Sequence, residues 1–238
     1  MDKPKRYLIH ISGIVQGVGF RPFVFNLANK HNIKGWVKNT SSGVKVEIEG
    51  FQKQILDFTT QLKLDAPPLA SLDQINIEEL QYLGYVQFEI LHSESAQSEF
   101  QPISSDVAIC DDCLRELWDS SDRRHRYPFI NCTNCGPRFS IIQDIPYDRP
   151  NTCMSVFEMC PECFAEYQDP ENRRFHAQPI ACPNCGPKIW FEQIDSSGAI
   201  SVLGNGNEAI KYTRTSIRNG QIVAIKGLGG FHLSLIHI

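Results

Sequence analysis

Nowhere does this 238-residue chain approach the ~20 consecutive apolar residues that a membrane span requires. Its N-terminus runs Met1-Asp2-Lys3-Pro4-Lys5-Arg6 straight into an alternating segment and lacks the apolar core of a secretory signal. Those two absences predict a cytoplasmic protein with no membrane partner. A glycine-rich loop lies near the N-terminus, but no Lys-Ser/Thr pair follows it, which excludes a Walker phosphate loop. A surplus of positive charge is missing too. The chain carries a net charge of −4, and residues 99–190 hold fourteen Asp and Glu against nine Lys and Arg. Nucleic-acid binders displace counterions with clustered cations, so this distribution argues against a DNA or RNA partner.

What the chain has in quantity is cysteine. Eight of its nine cysteines fall into four C-x2-C pairs, and Cys153 is left over. With no export signal and an odd total, a disulfide framework is a poor reading and metal binding a better one. Cys110/Cys113 is followed, after 18 residues, by Cys132/Cys135; Cys160/Cys163 is followed by Cys182/Cys185 at the same spacing. Every one of these cysteines recurs at an offset of 50, as do Arg123/Arg173, Arg124/Arg174, Ile130/Ile180, Asn134/Asn184, Gly136/Gly186 and Pro137/Pro187. This is a tandem repeat. Two knuckles of this spacing close an all-sulfur tetrahedral zinc site with no open coordination position, which predicts two structural zinc ions and no catalytic one. Pairing within each repeat is the simpler topology; a cross-braced arrangement is the alternative. The cysteine pairs also lack the C-x2-C-x-G-x-G runs of chaperone-type zinc modules. His176 lies between two knuckles that already supply four sulfurs and reads as a surface or interface residue. Cys153 reads as a small, partly buried side chain.

Residues 1–91 change period in the order β-α-β-β-α-β. Tyr7, Ile9 and Ile11 alternate as in a strand, and Phe20, Phe23, Val24, Leu27 and Ala28 recur at helical spacing. Gly35–Asn39 and Val44–Ile48 pair around a turn at 40–43. Ile55, Phe58 and Leu62 mark a second helix, and Ile75, Ile77, Val86, Phe88 and Ile90 supply the last strands. The order fits an α+β ferredoxin-like sandwich. Residues 92–105 read as a linker, 106–190 as the cysteine module (106–150 and 156–190), Glu208–Arg218 as a helix and Gln221–Lys226 as a buried strand.

Between first strand and first helix lies Gln16-Gly17-Val18-Gly19-Phe20-Arg21. Glycines here permit positive φ, so successive backbone N–H groups can converge on an anion at the positive end of the helix. Arg21 offers a bidentate grip on phosphate or carboxylate. Asn39, at the end of the neighbouring strand, can orient a water.

The run Val15-Gln16-Gly17-Val18-Gly19-Phe20-Arg21-Pro22, with Gly35-Trp36-Val37-Lys38-Asn39 downstream, resembles the acylphosphatase family over residues 1–91. The resemblance implies metal-free hydrolysis of an acyl or carbamoyl phosphate, with Arg21 and the loop 16–20 holding the phosphoryl group and Asn39 placing the attacking water. The order of this domain, the cysteine repeat and Ile222-Val223-Ala224-Ile225-Lys226-Gly227-Leu228-Gly229-Gly230-Phe231-His232-Leu233 is similar to the HypF-type carbamoyltransferases of NiFe-hydrogenase maturation. That family implies a truncated YrdC-like nucleotide-binding segment over 201–238, with Lys226 and Gly229 at its start. It further implies ATP with Mg2+ as cofactor of the full-length enzyme only, and a maturation partner that accepts the carbamoyl group on a C-terminal cysteine. Residues 234–238 depart from the family's continuation. The competing expectation is a non-catalytic, zinc-dependent docking module.

Overall fold

The structure is a computed structural model, and it describes residues 3–94, 104–227 and 231–234. Strands β1 (Lys5–Ile14), β2 (Lys34–Thr40), β3 (Gly43–Gly50), β4 (Ser71–Leu80) and β5 (Phe88–Ile90) form one sheet in the order β4-β1-β3-β2-β5. All its pairings are antiparallel except β2 with β5. Helices α1 (Phe20–Lys30) and α2 (Gln52–Leu64) cover one face. The alternation read from the sequence is what buries this core. Ile9, Ile11, Val37, Val44, Val46 and Ile48 are packed away from water, against Phe20, Val24, Leu27 and Ala28 of α1 and Ile55, Phe58 and Leu62 of α2. Gly35 sits where β2 and β3 come closest. A Cβ there, at φ +135°, would lie 1.9 Å from the carbonyl oxygen of Glu47. The fold is the ferredoxin-like α+β sandwich expected, with β5 added at its edge.

The cysteine module is built on metal-ligand spacing rather than on regular structure. Each repeat starts its one α-helix at a knuckle: α3 (Asp111–Trp118) follows Cys110, and α4 (Pro161–Gln168) follows Cys160. Beyond it, β6 (Trp190–Ile194) and β7 (Ile200–Asn205) form a hairpin. Against this hairpin α5 (Asn207–Arg218) stacks Tyr212 on Phe191 at 5.7 Å. The strand expected over Gln221–Lys226 is shorter and not buried. Among the described residues, β8 (Ala224–Lys226) pairs only with β9 (Phe231–Leu233), and both are exposed, because no second layer of described residues lies against them. Most of the expected linker, residues 95–103, lies outside the described residues, as does Gly229. Lys226 is described; its ammonium group lies 5.9 Å from the Phe231 ring centroid.

Candidate active site

The loop from β1 to α1 turns through left-handed backbone at Gly17 (φ 71°) and Gly19 (φ 77°), and Gly19 caps α1. This brings Arg21, in the first turn of α1, close to Asn39 near the end of β2. Both residues, with Gly17, Gly19 and Phe20, line one cavity. Arg21 is buried, and Asn39 is 1% exposed. Neither amide atom of the Asn39 side chain has a hydrogen-bond partner among the described residues. An orphaned buried polar group costs about 1–3 kcal/mol, so a hydrogen-bonding molecule in the cavity would relieve this amide.

Two loop residues serve the scaffold with their side chains. Val18 packs into the sandwich core. The Gln16 Nε2 donates to the carbonyl oxygens of Thr40 (2.7 Å) and Gly43 (3.0 Å), tying the loop to the β2–β3 turn.

The far wall of the cavity comes from the cysteine module. Thr133, Gly136, Tyr147, His176, Gln178 and their neighbours close it. The Gln16 Oε1 accepts from the Tyr147 backbone N–H at 3.0 Å, and the Arg21 Nη2 donates to Asp148 Oδ1 at 2.6 Å. Gln178 joins both halves of this wall: its Oε1 accepts from the Arg149 backbone N–H, and its carbonyl accepts from Arg149 Nη1. Phe25 of α1 meets Phe175 edge-on at 5.4 Å. His176 lines the cavity and is no part of either cysteine cluster. Burial pulls its imidazole down to about 4, with the Arg21 guanidinium acting in the same direction and Asp148 against it. Sequence reading missed Tyr147, Asp148 and Gln178, since contacts spanning up to 131 residues leave no periodic trace.

The eight paired cysteines gather as Cys110/Cys113/Cys132/Cys135 and Cys160/Cys163/Cys182/Cys185, within each repeat and not across them. No disulfide forms. Sulfur–sulfur separations of 3.6 Å (Cys110–Cys132), 3.9 Å (Cys132–Cys135) and 3.7 Å (Cys160–Cys182) match the edge of about 3.8 Å that tetrahedral Zn–S bonds of about 2.3 Å require. The donor set and its size therefore fit zinc. Cys153 is half-buried beside the first cluster.

Arginines cross between the repeats. The Arg123 Nη2 donates to Cys163 Sγ at 2.9 Å, and the Arg124 Nε to the Ala181 carbonyl at 2.8 Å. At the offset of 50, Arg173 reaches Cys113, and the Arg174 Nε donates to the Asn131 carbonyl at 3.0 Å. Burial works against ionisation of Glu166 and Glu116. The Arg124/Arg123 and Arg174/Arg173 guanidiniums override it and hold both carboxyls below the usual range.

Comparison with known proteins agrees with this geometry. The acylphosphatase family model matches residues 7–90, and the HypF finger model matches 109–142 and 159–192. The probable carbamoyltransferase HypF of Methanocaldococcus jannaschii is 53% identical over 228 residues, 95% of this chain and 29% of that protein. A crystal structure of full-length HypF in a phosphate- and nucleotide-bound form superposes with a TM-score of 0.89 at 50% identity, covering 98% of this chain and 30% of that one. The chain belongs to the HypF family. Its first domain is also 39% identical to the acylphosphatase of Bacillus pumilus over 82 residues, 90% of that protein. The chain spans less than a third of the length of the HypF relatives it matches. Among the described residues, no helix is long and apolar enough to cross a membrane.

Proposed function

We propose that this chain hydrolyses a small acyl phosphate, and its likeness to carbamoyltransferases points to carbamoyl phosphate as the substrate. Asn39 carries the reading: a buried amide with no hydrogen-bond partner among the described residues faces the same cavity as the Arg21 guanidinium and the glycine loop. The phosphoryl group would sit on Arg21 and the loop amides, which offset the charge that builds on its oxygens. Asn39 would accept a hydrogen bond from the attacking water at Oδ1 and aim the water oxygen at phosphorus, the water's protons leaving with the phosphate formed. The bond between phosphorus and the acyl oxygen breaks, leaving inorganic phosphate and carbamate. Carbamate decomposes in water, so an enclosed cavity protects it until its next use.

Two zinc ions, one per cysteine cluster, would hold the far wall and take no part in the reaction. The later steps belong to the longer protein. These are adenylation of carbamate with ATP and Mg2+, to which Lys226 and Gly229 would contribute, and transfer to the C-terminal cysteine of a hydrogenase-maturation partner.

The test is phosphate release from carbamoyl phosphate by the zinc-loaded chain. Arg21→Ala is expected to lower kcat/KM by about 100-fold or more, the scale seen on removing one donor to a developing oxyanion. Turnover unchanged in that variant would overturn the assignment.

A further inference from the structure

Arg21 does not stand free in its cavity. Its Nη2 donates to Asp148 Oδ1 at 2.6 Å, and its Nη1 reaches Ser93 Oγ at 3.4 Å. Ser93 in turn donates to the second Asp148 oxygen. Asp148 thus holds one edge of the guanidinium through a direct and an indirect contact. Among the described residues the Arg21 Nε makes no hydrogen bond, so the other edge is left for an anion. Asp148 belongs to the cysteine module, 127 residues downstream of Arg21, and not to the acylphosphatase unit.

Its own placement is rigid. The preceding Tyr147 N–H is bonded to Gln16 of the anion loop, and the following Arg149 is bound through its backbone and side chain to Gln178, Ile180 and Phe157. The carboxylate is therefore anchored to the loop on one side and to the second cysteine repeat on the other.

We infer that Asp148 is a positioning residue for phosphate capture: it fixes the rotamer of Arg21 so that the open edge of the guanidinium meets the phosphoryl oxygens. The inference rests on the proposed use of this cavity. An arginine side chain loses considerable rotamer freedom when it is fixed, and a partner that fixes it beforehand removes that cost from substrate binding. The Asp148 side chain plays no part in capping its own turn, so replacing it leaves the backbone in place.

Two measurements on the zinc-loaded chain test this: the Kd of inorganic phosphate, which needs no turnover, and kcat/KM for carbamoyl phosphate. Asp148→Ala is expected to weaken phosphate binding and to lower kcat/KM about 10- to 100-fold, as loss of alignment does. Asp148→Asn keeps an acceptor for Nη2 and should recover most of both, with zinc content unchanged in either variant; Asp148→Ala also lowers the melting temperature, because it strands the buried Arg21 guanidinium. A merely structural role would move melting and leave phosphate affinity alone, and that result overturns the inference. So does tighter phosphate binding in Asp148→Ala, which would make the carboxylate a competitor for Arg21. Asp148-dependent phosphate binding in a chain that releases no phosphate supports the inference while refuting hydrolysis. A wild-type chain that does not bind phosphate overturns both.

Discussion

Arg173 donates from Nη1 to the Sγ of Cys113 over 3.2 Å, from the second cysteine repeat to the first. The return contact, Arg123 to Cys163, is its image at the offset of 50 residues. A four-thiolate zinc site carries a charge of −2, and here each site is partly neutralised by a guanidinium that its own repeat does not supply. Glu116 and Glu166, also 50 residues apart, complete the exchange by pairing with arginines of the opposite repeat. The two sites are built as one unit.

The first prediction follows from that unit. Cys113→Ser removes a ligand from the first cluster and the acceptor of Arg173. Zinc measured by elemental analysis after gel filtration should fall from two per chain to below one. Independent sites would retain one.

Arg124 is 1% exposed and holds both Glu166 and the Ala181 carbonyl. Arg124→Met is expected to destabilise the zinc-loaded chain by about 1–3 kcal/mol, because it leaves the buried Ala181 carbonyl without its donor while Glu166 keeps Arg123. Arg115→Met, which breaks an exposed pair with Asp112, should change stability little. Equilibrium denaturant unfolding of both variants checks the contrast.

Gly17 faces the cysteine module closely. A Cβ there would lie 2.7 Å from Pro137 Cβ and 3.0 Å from the Tyr147 ring, on backbone at φ 71°. Gly17→Ala should therefore distort the loop and push the module away together, costing about 10-fold or more in kcat/KM for carbamoyl phosphate. The amide exchange protection of β1 and β3 should stay as in the wild type.

His176 gives a pH dependence with a fixed sign. Unfolded, its imidazole titrates near 6.5; in the folded chain, burial first and Arg21 second bring it to about 4. Between those values the unfolded chain binds more protons. Stability therefore falls as pH drops from 6.5 towards 4, by at most about 1.4 kcal/mol per pH unit from this group, and is unaffected by it above 6.5. His176→Asn suits the left-handed backbone at φ 53° and removes the titration. The gap in melting temperature between wild type and variant should narrow as pH falls from 7 to 5. Acid loss of zinc acts on both proteins alike.

The sandwich was legible because its signals are local. Alternation at Tyr7–Ile11 and helical spacing from Phe20 to Ala28 are set by neighbours in the chain, and the cysteine clusters by a spacing of two. Arg21, Asn39 and the glycine loop stood out as a motif and do share a cavity. The cavity's second wall did not stand out, because Tyr147, Asp148 and Gln178 act through one backbone N–H, one carboxylate and one amide with no pattern between them. A trace of the arginine exchange was present in the recurrence of Arg123/Arg173 and Arg124/Arg174, but its partners, Glu116 and Glu166, became evident only in three dimensions. The strand expected over 221–226 forms only at 224–226, and its burial failed for the opposite reason. Its apolar run has the composition of a buried strand, yet burial depends on a covering layer that a strand's own residues do not supply.

The contact between Gln16 and Tyr147 also orders events on the ribosome. The five-stranded sheet can close once residue 90 has emerged, whereas the loop waits for a partner 131 residues further along the nascent chain. Arg124 must likewise await the carbonyl of residue 181 before the first repeat is complete. A chain that folds as it is made would hold a closed sandwich with an open, one-walled anion loop until the second repeat is complete.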